Sequence, residues 1–202
     1  GGVAACGEAG PIHSLVMWSG LGSKLTSAAV AYMRDVRGVQ VLEVHRKQWP
    51  GDEGGFARCH ASMYSNNHAE KGFTIPDKFM DPSFVARVKG TGAFTVVLFA
   101  VDCVAAGEVV TAACDDADVA EGVICENSPK SKMLVALKKE LRRKFPKSSG
   151  LPKYTMHMTV NRNEALHDVR SLFGSGHYAR LVGKRRRGAA GSWDGVVRRD
   201  TR

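Results

Sequence analysis

The chain lacks several features that would each point to a familiar chemistry. Its 202 residues include only five cysteines, Cys6, Cys59, Cys103, Cys114 and Cys125, odd in number, widely spaced and without a C-x-x-C pair. That argues against a disulfide framework and a cysteine zinc site, and for reduced intracellular thiols. No apolar run approaches the roughly 18 residues that a membrane-crossing helix needs. No G-x-x-x-x-G-K-[ST] segment occurs, so this is not an NTP-driven kinase. Asp115-Asp116-Ala117-Asp118 lacks the glycine and terminal Glu of a calcium loop and reads as a solvated turn. The start, Gly1 to Gly7, lacks the basic and apolar regions of a signal peptide. No internal repeat of solenoid period is present. The expectation is one catalytic domain over 1–202, monomeric and cytoplasmic, cut from a longer protein whose full form could still associate with a membrane.

What is present is charge of one sign. The net charge is +9, which favours anionic partners such as nucleotides or RNA. Hydrophobic residues at 44% and charged residues at 24% are ordinary values, enough for one packed core.

Along the chain, the apolar run Ile12 to Trp18 predicts a buried strand, broken by Gly20 and Gly22. Leu21 to Met33 follows with Leu25, Ala28, Ala29, Tyr32 and Met33 at helical spacing, and Ser23 as its cap. Val39 to Val44 fits a strand or the tail of a second helix. Trp49 to Gly55 reads as a loop from its turn residues. Phe56 to Tyr64 reads as a strand, and Ser65 to Asp81 as a polar connection in which His68 is solvated. Phe94 to Val101 is the strongest strand signal, and Val104 to Ala113 predicts another. Lys130 to Phe145 predicts a helix starting near Ser128. Its buried stripe is Met133, Leu134, Leu137, Leu141 and Phe145, and its wet side Lys138, Lys139, Arg142, Arg143 and Lys144. Asn163 to Phe173 predicts a helix ending at Gly174, with Ala165, Leu166, Val169 and Leu172 on one face and His167 structural or exposed. Ser175 to Leu181 predicts a last strand. The basic tail from about Lys184 is a hairpin on a sheet edge or an RNA-contacting arm.

Two short segments carry the chemistry. Tyr154 to Val160 predicts a strand on which His157 and Thr159 point to one side. The earlier segment Arg58 to Tyr64 repeats the pattern with His60 and Ser62. Cys59, adjacent to His60, would face the opposite side and is no nucleophile partner for it. Two His-x-Ser/Thr strands facing each other across a cleft would present two imidazoles and two hydroxyls to a small anion. Hydrolysis of a cyclic phosphodiester needs a base for water and an acid for the departing oxygen, and imidazole serves both near neutral pH. Hydroxyls at Ser62 and Thr159 would hydrogen-bond the non-bridging oxygens as their charge grows. No metal and no cofactor is required.

The paired His60-Ala-Ser62 and His157-Met-Thr159 resemble the two H-x-[ST] motifs of the two-histidine (2H) phosphoesterase superfamily. Within it the chain is most similar to the family of 2',3'-cyclic nucleotide 3'-phosphodiesterases (CNPase), and Ala93 to Val101 is similar to that family's central strand. The resemblance implies an α+β, bilobal fold, with two antiparallel sheets flanking a central groove and helices outside. It implies that nucleoside or RNA-terminal 2',3'-cyclic phosphates are cleaved to 2'-phosphates. By analogy His157 activates water and His60 protonates the departing O3', roles that are interchangeable on sequence alone. Ser62 stands where Thr is common, and Tyr154 and Thr155 where an Arg is usual. Tyr64 is the candidate for stacking on the base, with Phe73 and Trp18 as alternatives. Two rival readings are the cyclic phosphodiesterase domain of a tRNA ligase and a non-catalytic, basic RNA-binding module.

Overall fold

The structure is a computed structural model that describes residues 12–69, 81–101, 131–146 and 155–188, with side chains excepted at 65–69 and 186–188. These residues form strands β1 (Ile12–Met17), β2 (Val39–Gln48), β3 (Ala93–Val101) and β4 (Met156–Met158). The helices are α1 (Ser23–Asp35), α2 (Glu53–Ala69), α3 (Pro82–Lys89), α4 (Lys132–Lys144), α5 (Arg162–Phe173) and α6 (His177–Gly188). The class is α+β. Among the described residues there is one four-stranded sheet, in the order β2-β3-β1-β4, with every neighbouring pair antiparallel. The expected strand over Val104 to Ala113, the Asp115 cluster, Phe73 and the chain beyond 188 lie outside the described residues.

β1 and β3 are buried along nearly their whole length, because helices cover both faces of the sheet. Leu15, Met17, Val97, Phe99, Met156 and Met158 pack against Ala29 and Met33 of α1 and Leu134, Leu137 and Leu141 of α4. Ile12, Val16, Val96 and Leu98 pack on the other face with Phe56 and Met63 of α2, Val85 of α3, Val169 and Leu172 of α5, and Leu181 of α6.

The helix boundaries follow local chemistry. Gly22, at φ 84°, precedes α1, so Ser23 is its first residue and not its cap. Ser131 Oγ accepts from the Leu134 amide and starts α4. Asn161 Oδ1 accepts from the Glu164 amide, and Glu164 Oε2 accepts from the Val160 amide at 2.9 Å. This reciprocal pair, close to a capping box, fixes the corner between β4 and α5.

Two expected strands and one expected helix face differ, and residues 65–69, expected in a polar connection, continue α2. Phe56 to Tyr64 is helical, within α2. Asp52 Oδ1 accepts from the Gly55 amide at 2.6 Å and begins that helix inside what reads as a loop. Phe56, Ala57, His60 and Met63 are buried at helical spacing while Ser62 is exposed, a pattern that strand alternation cannot produce. Ser175 to Leu181 is a turn followed by the first residues of α6. Lys138 and Arg142 are not on the wet side of α4. They reach over edge strand β4, Lys138 Nζ donating to Met158 O at 2.7 Å and Arg142 Nη2 to Met156 O at 2.8 Å. Those contacts satisfy carbonyls that an open sheet edge would leave without partners.

Candidate active site

His157 lies opposite Val16 in the ladder between β4 and β1, so its side chain shares the sheet face covered by α2 and α5. It is 6% exposed. Its Nε2 and the Asp168 carboxylate of α5 are 2.9 Å apart. The same oxygen, Oδ2, accepts from Ser14 Oγ at 3.1 Å. Asp168 is fully buried in the stripe that Ala165, Val169 and Leu172 make toward the sheet.

Electrostatics decide the state of this imidazole. Burial pushes the His157 pKa well down, and the positive charges of Lys138, Lys89 and Arg142 push the same way, while Glu164 opposes them. Hydrogen bonding to Asp168 favours the charged ring, but burial and the three cations outweigh it. At neutral pH His157 is therefore a neutral imidazole that donates Nε2–H to Asp168. Its Nδ1 keeps a lone pair, which is the condition for accepting a proton.

His60 reaches the same place from α2. Tyr64, one helical turn further on, stacks on His60 with ring centroids 4.4 Å apart and meets His157 edge-on at 4.8 Å. The structure thus brings His60 and His157 to one cluster, on two sides of Tyr64. Tyr64 spends its ring on these histidines. Burial and the nearby Asp168 raise its pKa, so the phenol keeps its proton.

The two hydroxyls are placed differently. Ser62 sits two residues from His60 on a helix, about 200° around the axis, and is exposed. The sequence pattern His60-Ala-Ser62 therefore does not gather its His and its hydroxyl. Thr159, just past β4, is fully buried, and its Oγ1 accepts from the Ser14 amide at 3.0 Å and lies 3.3 Å from His13 Nδ1. It ties β4 to β1. His167 hydrogen-bonds Met63 O at 2.9 Å, a structural contact between α5 and α2.

Lys89, which the sequence reading passes over, ends α3 beside this cluster. Only 4% of it is exposed, and its ammonium lies 5.5 Å from the Trp18 ring and 5.4 Å from the Tyr64 ring. Burial, with Arg142 and Lys138 nearby, pushes its pKa down to about 7. Its position depends on a close crossing, since a Cβ on Gly20 would fall 2.8 Å from the Lys89 carbonyl oxygen. The Ser19 hydroxyl fastens that crossing by donating to Thr91 O at 2.9 Å. Trp18, fully buried, backs His60 at 5.5 Å and packs on Phe56, Phe94 and Trp49.

Signals for the missed residues are in the sequence. Asp168 falls in the apolar helical stripe Ala165, Val169, Leu172, and Lys89 falls four residues after Val85. A charge at a core-facing position needs a partner or a task. The arrangement holds a neutral, carboxylate-oriented imidazole, a second imidazole and a buried lysine amine that titrates at about pH 7 in one place. Chemically it can accept a proton and hold an anion. No helix among the described residues is long and apolar enough to cross a membrane. Neither a protein-family model nor a curated protein matches the chain.

Proposed function

We propose that the chain hydrolyses a phosphodiester, and specifically a nucleoside or RNA-terminal 2',3'-cyclic phosphate, to the 2'-phosphate without a metal at the reacting centre. The observation that carries this reading is that His157, oriented by Asp168, and His60 lie on two sides of Tyr64, with the buried Lys89 amine over the same ring. Lys89 when protonated, with Lys138 and Arg142 nearby, favours an anion there. In the proposed reaction His157 takes a proton from water, which attacks phosphorus, and the bond to O3' breaks. His60 supplies the proton to O3'. Lys89 holds a non-bridging oxygen, the part assigned on sequence to the hydroxyls of Ser62 and Thr159. Tyr64 packs between the imidazoles and sets their separation.

The finer fold expectation, two sheets flanking a groove, belongs to the same proposal. It requires a second sheet drawn from outside the described residues.

Product analysis tests the reading. Incubation with 2',3'-cyclic AMP followed by phosphorus NMR is expected to give the 2'-phosphate alone. A 3'-phosphate would place the broken bond on the other oxygen, and no product from a folded chain would favour RNA ends or binding alone. The binding-only reading rests on the exposed Lys132, Lys139, Arg143 and Lys144 of α4. It predicts RNA affinity that survives loss of either histidine.

A further inference from the structure

We propose that Glu43, His45 and His177 form a binding site for a divalent transition-metal ion, with zinc as its probe, that fastens α6 to edge strand β2. Glu43 Oε2 lies 2.8 Å from His45 Nε2 and 3.1 Å from His177 Nε2, and the three donor atoms all fall within 4.8 Å of one another. Donors around a tetrahedral zinc ion, bonded at roughly 2.0–2.1 Å, stand about 3.3–3.5 Å apart. Both Glu43–histidine distances are shorter than that, so admitting the ion takes a small outward shift of the carboxylate and adjustment of the two imidazoles. Two imidazoles and one carboxylate, with a position left for water, are a donor set that zinc and its first-row neighbours accept.

The backbone is built for the cluster. The register between β2 and β3 slips between Val41 and Glu43, a β-bulge. Before the bulge, Val39 and Val41 face α1 and α4. After it, Glu43 and His45 stand opposite Leu98 and Val96, whose side chains face the α5 and α6 layer. Without the extra residue the carboxylate and the imidazole would be aimed into the apolar core of the first layer. Bulges that re-aim side chains recur next to functional sites. His177 arrives from the first residue of α6.

The surroundings orient the donors. Phe173 packs against both imidazoles, 4.8 Å from His45 and 4.5 Å from His177. Lys184 Nζ lies 3.3 Å from Glu43 Oε1, which leaves Oε2 as the oxygen turned to the histidines. Arg180 opposes the ion. Its Nη2 lies 2.8 Å from His177 Nδ1, the atom that must carry a proton once Nε2 binds metal. Arg180 is exposed and has room to swing away. The site is also separate from the histidine cluster. β2 and β4 are opposite edges of the sheet, three strand spacings or about 14 Å apart.

Zinc titration of the full chain by calorimetry, with cobalt(II) absorption as a second readout, tests the site. The expected result is one saturable equivalent of zinc, with a cobalt spectrum that lacks the thiolate charge-transfer band. Binding should weaken at least tenfold in His45→Ala, His177→Ala and Glu43→Gln. Arg180→Ala should tighten it severalfold and should raise the thermal midpoint further on zinc addition. Equal zinc affinity in the parent and in folded His45→Ala or His177→Ala would overturn the proposal. Should those variants fail to fold, an Arg180→Ala chain that binds no more tightly than the parent would overturn it instead.

Discussion

Asp168 and His157 come from different elements, α5 and β4, and meet 2.9 Å apart in a buried setting, with Ser14 donating to the same carboxylate oxygen. The carboxylate fixes the tautomer of a ring that burial and three cations keep neutral. Asp168→Asn keeps the shape but can present an amide N–H to Nε2, which favours the wrong tautomer. Turnover should fall by on the order of 10²-fold or more, by analogy with other carboxylate-oriented histidines. KM should change little. Steady-state kinetics with a circular dichroism control check this.

His60→Ala removes the proposed proton donor and should lower kcat by about 10²–10⁴-fold, the range for a positioned acid or base. Tyr64→Phe keeps the ring between the imidazoles and should cost less than about tenfold. Equal losses in the two variants would move the donor role from the imidazole to the phenol.

Ser62 and Thr159 should separate cleanly. Ser62→Ala, at an exposed helix position, should leave turnover and stability within about 0.5 kcal/mol of the parent. Thr159→Ala strips the Ser14 amide of its buried acceptor and should destabilise by about 1–3 kcal/mol, with Thr159→Ser recovering most of it. Chemical denaturation measures both.

Lys89 gives the fold a defined pH dependence. Its folded-state pKa, about 7, lies below the 10.5 of an ordinary lysine. Between those values the unfolded chain binds the extra proton, so stability rises with pH across that window. The cost of burying the ammonium is fully present below about pH 7 and is relieved as pH climbs toward 10.5. Lys89→Met should therefore be more stable than the parent at pH 6, by a few kcal/mol, and the gap should close by pH 10. The same substitution should raise KM for a cyclic phosphate. Denaturation at several pH values, paired with kinetics, tests both halves.

The core strands and helices were legible because their patterns are strong. Ile12 to Met17 and Ala93 to Val101 are near-continuous apolar runs, and α4 carries leucines at helical spacing. The first motif misled for a physical reason. Phe56-Ala-Arg-Cys-His60-Ala-Ser62 alternates well enough for a strand, and Gly54 and Gly55 argue against a helix start. The Asp52 cap and the spacing of Phe56, His60, Met63 and Tyr64 outweigh both. The site was half legible. The two histidines come to opposite sides of Tyr64, and Asp168 and Lys89 show in the sequence only as charges at core-facing helix positions; that they join the histidines depends on long-range packing of α5 and α3. The cluster at Glu43 was equally hidden, since His177 lies far along the chain and the aim of β2 depends on a bulge.

The measurement that bears most directly on the central claim is turnover of 2',3'-cyclic AMP in excess EDTA by the parent, His60→Ala, His157→Ala and Asp168→Asn, all shown to be folded. The account predicts a rate in the parent that EDTA leaves intact, loss in both histidine variants, and a severe fall in Asp168→Asn. Undiminished turnover in folded His157→Ala, or a rate that EDTA abolishes, would contradict it.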